Sequence, residues 1–409
     1  MVEIMAPAGS FESLRAAINA GAGSVYFGVG KLNMRSRSAN FTYEDLERIV
    51  SICKEHSVKS YLTMNIIVYN DELQEVKTIL NRAKEAGVSA VIVSDFAVIS
   101  YAREIGLEVH LSTQCNVSNI EAVKFYAQFA DVVVLARETA IKDIAHICSE
   151  IKKQRICGPS KRPLEIEIFV HGALCVAISG KCYMSLAQYN SSANRGACFQ
   201  ACRRSYTVTD TETQDSLAVD NQYIMSPSDL CTIEILDTIL ETGVSILKIE
   251  GRGRSPEYVD VVVKTYKQAI EDITQKKWSL TKAKDYKKKL ETVFNRGFWE
   301  GGYYLGTKIN EWSNTYGSKT KERKMTLGKV IHFYSNLSVA EILVETNTLK
   351  EGQEIYIIGE KTGVVREKVI AMKKNEKEIS LAQKGDTITI KLSQVVRKND
   401  AVYIIESLS

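Results

Sequence analysis

Eight short apolar runs alternate with amphipathic helical patterns over roughly the first 250 residues, and this alternation constrains the fold more than any other feature. The runs are VEIMAP, SVYFGV, SYLTMNII, AVIVSD, LEVHLST, DVVVLA, EIEIFVHG and SILKIEG. Segments between them, such as FESLRAAINAG, space their apolar residues three and four apart, as a helix requires. Buried strands that alternate with helices form parallel sheets, so eight such units predict a closed (β/α)8 barrel. A doubly wound open sheet is the alternative.

The pattern of apolar and polar residues changes after this region. We predict a barrel domain over residues 1–306, a polar linker over 307–325 and a small all-β barrel over 326–409, where short alternating strands such as QEIYIIG and DTITIKL recur. LKEGQEIYIIG and AQKGDTITIK resemble the β-barrel domain that follows the GTPase in translation elongation factors. That resemblance suggests docking to tRNA or to the ribosome, while a domain that only caps the catalytic barrel is the alternative.

Charge and targeting signals restrict the class of protein only weakly. A formal net charge of +4 permits a nucleic-acid partner without requiring one, so any basic surface would have to be local. The Lys-rich segment TKAKDYKKKLETVFNR fits a solvated helix face, with RNA contact as the alternative. The start MVEIMAPAGS shows no signal peptide, and no run of about 18 apolar residues predicts a membrane span. We expect a cytoplasmic protein without a membrane partner; a homo-oligomer or a paralogous partner stays open.

About 75 residues separate the seventh and eighth apolar runs, far more than a strand-to-helix connection needs. We predict an insertion over about residues 171–235, in which RSYTVTDTETQDSLAVD forms a strand, a polar turn and a second strand. Five of the nine cysteines lie in it, namely Cys175, Cys182, Cys198, Cys202 and Cys231. In a reducing compartment, clustered cysteines indicate metal binding or redox chemistry rather than disulfides.

The first four of these cysteines follow the spacing C-x6-C-x15-C-x3-C. Zinc ligands usually pair at closer spacing, whereas an iron–sulfur cluster accepts ligands from scattered loop positions. An iron–sulfur cluster, a zinc site and unmetallated redox-active thiols all stay open at this level. Outside the insertion, Cys53 and Cys148 fit small buried hydrophobes. Cys115, in STQCN, is structural or has a redox or substrate role.

The segments FVHGALCVAISGKCYMS, NRGACFQACRRSY and SPSDLC resemble the signature of the collagenase-like peptidase family U32. The segments APAGSFESLRAAINAGAGSVYFGV, KIEGRGRSPEYV and NRGFWEGGYYLG extend the resemblance over essentially the whole chain. The resemblance implies a 4Fe–4S cluster, with zinc as the metal if the cluster is lost. The implied ligands are Cys175, Cys182, Cys198 and Cys231, with Cys202 as the possible substitute.

Within this family, the length and the C-terminal β-barrel are most similar to members that hydroxylate tRNA. That similarity implies oxygen-independent conversion of the wobble uridine to 5-hydroxyuridine, with tRNA as partner and prephenate or a similar small carboxylate as hydroxyl donor. A base would have to leave its stack and enter a pocket. Guanidinium groups suit both phosphates and dicarboxylates.

The polar residues at the predicted strand ends are the candidates for this chemistry, and barrel-rim hydrogen bonds or salt bridges are the alternative for each. The catalytic candidates are His171, Glu250, Asn65 and Gln114. The substrate-binding candidates are Arg35, Arg37, Asn116, Arg252 and Arg254. Three other functions stay open: a peptidase, as the family name implies, hydroxylation of ribosomal RNA, and a non-catalytic scaffold with a structural cluster. The chain has neither an HExxH nor a G-x-S-x-G motif, so the sequence gives a peptidase little support.

Overall fold

A computed structural model describes residues 2–37, 40–207, 209–214, 225–306, 312–313, 315 and 317–408. The first ten strands are β1 (Glu3–Pro7), β2 (Ser24–Phe27), β3 (Lys59–Met64), β4 (Ala90–Val93), β5 (Val109–Leu111), β6 (Val132–Val134), β7 (Glu165–Gly172), β8 (Asp229–Cys231), β9 (Ile246–Ile249) and β10 (Phe298–Glu300). The α-helices are α1 (Phe11–Asn19), α2 (Leu46–Glu55), α3 (Leu73–Ala86), α4 (Phe96–Glu104), α5 (Ile120–Tyr126), α6 (Ile141–Gln154), α7 (Met184–Tyr189), α8 (Leu236–Glu241), α9 (Pro256–Thr274) and α10 (Leu280–Leu290).

Strands β1 to β7 follow one another as parallel neighbours, and β9 closes the ring by pairing with both β7 and β1. The predicted (β/α)8 barrel is therefore confirmed, and the open sheet is wrong because β1 and β7 share a neighbour instead of forming edges. Strand β8 lies in the predicted insertion and runs antiparallel to the end of β7. Strand β10 pairs with β8 in parallel. These two short strands extend the sheet beside the barrel mouth.

Local sequence signals begin and end the barrel helices as expected. The hydroxyl of Ser10 accepts a 3.2 Å hydrogen bond from the backbone N–H of Ser13 at the start of α1. Gly87 ends α3 in the left-handed conformation, with φ of 79°. An apolar cluster fills the barrel interior with Met5, Tyr26, Tyr61, Ala90, Ile92, Val132 and Ile246. Within the described ranges, no helix has both the length and the apolar character to cross a membrane.

The C-terminal part is an antiparallel all-β domain with its own core. Its strands are β11 (Glu322–Tyr334), β12 (Val339–Val344), β13 (Leu349–Lys350), β14 (Glu354–Gly359), β15 (Gly363–Lys368), β16 (Met372–Lys374), β17 (Lys377–Ile379), β18 (Leu381–Ala382), β19 (Thr387–Lys391) and β20 (Ala401–Ser407). Eight of them form one sheet in the order β15-β14-β20-β11-β12-β19-β16-β17, which confirms the predicted fold class. Residues 208 and 215–220 of the predicted strand–turn–strand, and residues 307–311, 314 and 316 of the predicted linker, lie outside the described residues.

The β domain packs on the helical exterior of the barrel. Ala16 of α1 joins a buried cluster with Tyr356, Ile358 and Val364 of β14 and β15. The ammonium of Lys324 in β11 lies 2.9 Å from the carboxylate of Glu257 in α9. The two cores therefore meet through helices rather than at the C-terminal ends of the barrel strands.

Candidate active site at the barrel mouth

A cavity of about 260 Å³ opens at the C-terminal ends of the barrel strands, where barrels of this fold place their functional residues. Its inner wall includes the side chains of Tyr26, Ile92 and Phe169 from the strands themselves. Most of the predicted polar site residues line it, namely Arg35, Asn65, Gln114, Glu250, Arg252 and Arg254. The residues chosen by their strand-end position therefore line one cavity.

The cysteine-bearing insertion forms one side of this cavity. Four thiol-bearing residues line it: Cys175, Cys182, Cys198 and Cys202. Cys231 is not among them. It is 1% exposed at the end of β8, where its thiol contacts the hydroxyl of Tyr266 in α9. The structure thus groups three of the four predicted ligands with Cys202, and it places Cys231 on the helical side of β7.

The pKa shifts of Cys202 and Cys182 agree with the grouping of these four cysteines. Burial raises the pKa of Cys202 to about 11, and the neighbouring Cys175 and Cys198 add to the rise while Arg203 opposes it. Burial also raises the pKa of Cys182, again with contributions from Cys175 and Cys198. A bound cationic centre would reverse these shifts, because it stabilises thiolates.

The cysteines that line the cavity are the candidate ligands of a metal centre. Among the residues that the structure describes, no three His, Cys, Asp or Glu side chains stand close enough together to surround a single metal ion. Four thiols from separate loop positions still line one cavity. Thiolates are ligands of both iron–sulfur clusters and zinc, so the donor type in this cavity suits either centre.

Two glycines allow the insertion to approach the barrel loops closely. A Cβ on Gly196, whose φ is 82°, would lie 2.1 Å from the carbonyl oxygen of Asn33. A Cβ on Gly180, whose φ is 72°, would lie 2.8 Å from Cγ of Gln114. Both positions need left-handed backbone and lack room for a side chain. The guanidinium of Arg195, which precedes Gly196, donates a 2.9 Å hydrogen bond to Glu72 and so anchors the loop.

Glu250, just beyond β9, is the cavity carboxylate with the strongest ionic contact. Arg35, in the loop after β2, donates a 2.8 Å hydrogen bond to its Oε1. Burial alone would raise the pKa of Glu250, but Arg35 and Arg254 outweigh it and hold the pKa at about 2. Glu250 is therefore a carboxylate near neutral pH and cannot act as a general acid while this ion pair persists.

Arg252 and Arg254 follow Glu250 along the same loop but have different partners. Arg252 is buried and donates hydrogen bonds of 3.0 Å to Oδ1 of Asn33 and 2.7 Å to Oγ1 of Thr63. Burial lowers its pKa to about 10, and Arg35 adds to the lowering while Tyr26 and Glu250 oppose it. Arg254 lies 3.6 Å from the carboxylate of Asp229. Arg252 is thus a guanidinium on the cavity wall whose hydrogen bonds to described residues go to neutral oxygens.

The side-chain amides form a connected group on the opposite wall. Asn65 donates 3.3 Å hydrogen bonds from Nδ2 to Oγ of Ser112 and to Oε1 of Gln114. Its Oδ1 accepts a 3.3 Å hydrogen bond from the backbone N–H of Met34. The long distances leave these groups able to exchange partners with a ligand. Asn65 and Gln114 therefore present hydrogen-bond donors and acceptors of the kind that contact the edge of a base.

Three predicted catalytic or substrate-binding residues do not line the cavity: His171, Asn116 and Arg37, which is described with the cleft below. His171 is 1% exposed and packs among Tyr258, Tyr266 and Phe298, with its Nδ1 3.5 Å from the hydroxyl of Tyr266. Burial lowers its pKa to about 3, so it is neutral at physiological pH. Asn116 instead stabilises the insertion by donating a 3.3 Å hydrogen bond to the carbonyl of Ser179. Strand-end position alone could not show which way these side chains turn.

Sequence reasoning missed Lys248 and Arg137 among the cationic residues that line the cavity, and it also missed Arg203 and Arg296. A signal for Lys248 was present in LKIEGR, because it lies two residues before Glu250 and alternation along a strand puts both on one face. Arg137 follows β6 in LARE and shares the strand-end position of the chosen residues. Both were found only from the geometry.

An arginine-lined cleft of about 420 Å³ adjoins the cavity, and Met34, Cys198 and Gln200 border both spaces. We call it the arginine cleft after its cationic residues: Arg35, Arg37, Arg203, Arg204 and Arg296. No Asp or Glu lines it within the described part of the chain. The guanidinium of Arg37 lies 3.6 Å from the ring centroid of Phe199, which stacks on Tyr189 at 4.8 Å. Predicted residue Arg37 thus belongs to the cleft and not to the cavity.

Comparison with known proteins gives the context of this geometry. The family described as Peptidase family U32 matches residues 9–314. A protein named collagenase from Porphyromonas gingivalis is 50% identical, with 98% of this chain and 97% of that protein covered. A tRNA hydroxylation protein of Bacillus subtilis is 33% identical over 87% of this chain and 83% of its own length. A 23S rRNA 5-hydroxycytidine synthase of Escherichia coli is 32% identical over 72% of this chain and 44% of its length.

Proposed function

The chain belongs to peptidase family U32, and from this premise we propose that it hydroxylates a pyrimidine base in RNA, with the wobble uridine of tRNA as the substrate. Relatives named for tRNA and ribosomal RNA hydroxylation support the reaction class. The observation that carries the proposal is the connection between the cysteine-lined cavity and the arginine cleft. RNA needs both parts: a pocket for one base and a cationic path for its phosphates.

The arginine cleft favours a polyanion over a peptide. Its exposed arginines Arg37 and Arg204 have no ion pair with the residues that the structure describes, so their charges are available to a ligand. An Arg–Phe–Tyr stack formed by Arg37, Phe199 and Tyr189 provides planar surfaces on which a neighbouring base can stack. A phosphodiester chain can use both features together, whereas a neutral peptide gains little from a carboxylate-free arginine surface.

The cavity would hold the reacting base and the hydroxyl donor. Amide groups of Asn65 and Gln114 can exchange their mutual hydrogen bond for the donor and acceptor edge of uracil. Arg252 and Arg254 are suited to the carboxylates of prephenate or of a similar small donor. Glu250, held as a carboxylate by Arg35, would orient these guanidinium groups and prevent them from closing on each other.

We further propose that the cavity cysteines hold a 4Fe–4S cluster. Cys175, Cys182 and Cys198 belong to both the predicted ligand set and the group that lines the cavity, and the fourth ligand is Cys202 by position or Cys231 by resemblance. The cluster would supply the electron-transfer capacity that hydroxylation without molecular oxygen requires. The insertion would exclude bulk water from one side of the cavity, because it packs closely on the barrel loops at Gly180 and Gly196.

Nucleoside analysis of tRNA tests this function directly. In a strain that lacks the gene, 5-hydroxyuridine and its derivatives should disappear from hydrolysed tRNA, and the wild-type gene should restore them. The Asn65→Ala variant should fail to restore them, while Arg82→Gln on the outer face of α3 should restore them fully. Unchanged 5-hydroxyuridine in a strain that also lacks every paralogue would overturn the proposal. Loss of 5-hydroxycytidine from ribosomal RNA instead would show that ribosomal RNA is the substrate.

A peptidase is the second candidate, because a relative that is 50% identical is named collagenase. Peptide hydrolysis needs an activated nucleophile or an activated water. Among the described residues that line the cavity there is no histidine to activate a thiol, and His171 is enclosed by aromatic rings. Purified protein assayed on denatured collagen decides this point. Cleavage of denatured collagen by both the wild-type protein and Cys198→Ala, together with unchanged 5-hydroxyuridine in tRNA of the deletion strain, would favour the peptidase.

A further inference from the structure

A buried lysine at the inner end of the cavity has no role in the function proposed above. Lys248 of β9 is 4% exposed, and its side chain lines the cavity together with Tyr26 and Phe169. Its Nζ lies 4.6 Å from the ring centroid of Tyr26 and 5.5 Å from that of Phe169. The ammonium group is therefore held between two aromatic faces, at the wall that a cavity ligand would touch.

A single buried carboxylate is paired with this lysine. Nζ of Lys248 donates a 2.6 Å hydrogen bond to Oε1 of Glu167, which is 0% exposed on β7. The other oxygen of Glu167 has no hydrogen-bond partner in the described structure and lies 3.9 Å from Nδ1 of His110, which has none either. Glu167 can thus accept a proton from the lysine without losing another hydrogen bond.

The electrostatic surroundings favour the neutral amine more than an ordinary lysine site does. Burial lowers the pKa of Lys248, Glu167 opposes the change, and Arg252 and Arg137 add to the lowering. Desolvation and neighbouring cations are the two means by which proteins make a lysine nucleophilic. The aromatic contacts and the ion pair fix the position of Nζ, so the amine is also oriented.

Two guanidinium groups beside the lysine make no direct ion pair with a carboxylate among the described residues. Arg252 donates hydrogen bonds to the neutral oxygens of Asn33 and Thr63. Nε of Arg137 is buried without a hydrogen-bond partner among the described residues, and its Cζ lies 4.3 Å from the ring centroid of Phe169. An oriented amine flanked by guanidinium groups matches a molecule that carries a carbonyl next to a carboxylate.

We propose that the inner end of the cavity binds a 2-oxo carboxylate, with Arg252 and Arg137 on its carboxylate and Lys248 joined to its carbonyl carbon as an imine. The inference rests on the proposed function in one respect, because it names the chemical class of the small donor; prephenate belongs to that class. It requires neither RNA nor a cluster for its test.

The covalent step balances within these groups. Lys248 first transfers a proton from its ammonium to Glu167, and the amine lone pair then forms a C–N bond to the carbonyl carbon. The carbonyl oxygen takes up two protons, one from the nitrogen of Lys248 and one returned by Glu167, and the C–O bond then breaks to release water. The net change is ketone plus ammonium to iminium plus water, so total charge is conserved and no oxidant or reductant is consumed.

Reductive trapping on the full-length protein tests the proposal. The protein is incubated with pyruvate or with 2-oxoglutarate in the presence of cyanoborohydride, and the adduct is located by peptide mass spectrometry. One adduct per chain is expected, on Lys248, with saturable dependence on the oxo acid. Succinate, which has carboxylates but no ketone, should protect Lys248. Label spread over exposed lysines such as Lys288 and absent from Lys248 would overturn the proposal.

Variants separate the roles of the neighbours. Lys248→Met should abolish the adduct. If this variant does not fold, the peptide mass spectrum of the labelled wild-type protein still identifies the modified lysine. Glu167→Gln should slow trapping at least tenfold, as loss of proton transfer commonly does, whereas Glu167→Asp should retain most of the rate. Arg252→Gln should raise the half-saturating oxo acid concentration roughly tenfold, the effect of one lost charge-assisted hydrogen bond.

The outcome is independent of the nucleoside analysis. Absence of trapping with loss of 5-hydroxyuridine in the deletion strain would remove the imine and leave RNA hydroxylation in place. Trapping on Lys248 with unchanged tRNA would establish an oxo acid site and remove the RNA substrate. A rate of trapping equal in wild type and Glu167→Gln would show that the carboxylate is only a structural counter-ion, which overturns the proton transfer.

Discussion

Arg35 and Glu250 are 215 positions apart in the chain, yet the guanidinium of one donates a 2.8 Å hydrogen bond to the carboxylate of the other at the barrel mouth. The contact joins the loop after β2 to the segment that follows β9. Side-chain exposure is 35% for Arg35 and 11% for Glu250, so the pair is shielded mainly on the carboxylate side. The contact connects the walls of the cavity and gives it a defined width.

Low pH should remove the contribution of the Arg35–Glu250 ion pair to the free energy of unfolding. The pKa of Glu250 is about 2 in the folded protein, below its ordinary value of 4.5, so its stabilisation is present above about pH 4.5 and is lost as pH falls toward 2. The free energy of unfolding of Glu250→Gln should lie up to about 3 kcal/mol below that of wild type at pH 6. Urea unfolding monitored by circular dichroism should show this difference shrinking as pH approaches 2. A difference that is constant over pH would contradict the pairing.

Cysteine substitutions should distinguish the two candidate ligand sets. From the grouping in the cavity we expect Cys202→Ala to lose iron as completely as Cys198→Ala, measured by iron content and visible absorbance after anaerobic purification. Cys231→Ala should retain iron and should instead lower the free energy of unfolding by about 1–2 kcal/mol, as loss of a small buried side chain does. The reverse result would support the set implied by family resemblance, and it would require the Cys231 thiol to turn away from Tyr266.

A methyl group at Gly196 should detach the insertion from the loop after β2. Gly196→Ala adds strain at φ of 82° and places Cβ against the carbonyl of Asn33, so a local cost of at least about 1–2 kcal/mol is expected. Hydrogen exchange should show faster exchange in residues 193–204 than in wild type. Gly106→Ala is the matched control, because its φ is 75° but nothing lies within 4 Å of the added Cβ. Exchange in residues 193–204 that is no faster in Gly196→Ala than in Gly106→Ala would contradict the close contact with Asn33.

Neutralising the exposed arginines of the cleft should weaken RNA binding with a defined salt signature. The double variant Arg37→Gln with Arg204→Gln should bind an anticodon stem–loop RNA more weakly in fluorescence anisotropy. The slope of log affinity against log salt should fall by about 0.7–0.9 for each phosphate contact removed. Arg82→Gln, which changes the same charge on α3, should leave the slope unchanged. A slope unaffected by the double variant would exclude the cleft as the phosphate path.

The order of barrel strands could be predicted from sequence because each strand has a recognisable local pattern of apolar residues. Runs such as AVIVSD and DVVVLA are apolar on both faces, as strands covered by helices must be, and the barrel follows once eight of them are counted. The same logic placed Asn65, Gln114 and Arg252 on the cavity, since each follows a strand end. Local pattern was sufficient where the side-chain direction is set by the strand itself.

Prediction was less informative where direction depends on contacts between distant segments. The short β8 pairs antiparallel to the end of β7, and this pairing turns Cys231 toward Tyr266 of α9, a contact that no local pattern contains. Lys248 was missed for a different reason: a lone lysine in an apolar run looks like an edge residue until its partner Glu167, 81 positions away, is known. Buried ion pairs of this kind are properties of the closed barrel and not of either strand.

Cys198 borders both the cavity and the arginine cleft, so the two spaces share a wall. A redox centre attached to this thiol would have any strand in the cleft as its immediate neighbour. Negative charge beside such a centre disfavours taking up an electron. Voltammetry of the loaded protein would then show a more negative midpoint potential when the cleft is occupied. The reduced centre would therefore give up its electron more readily while a strand is bound.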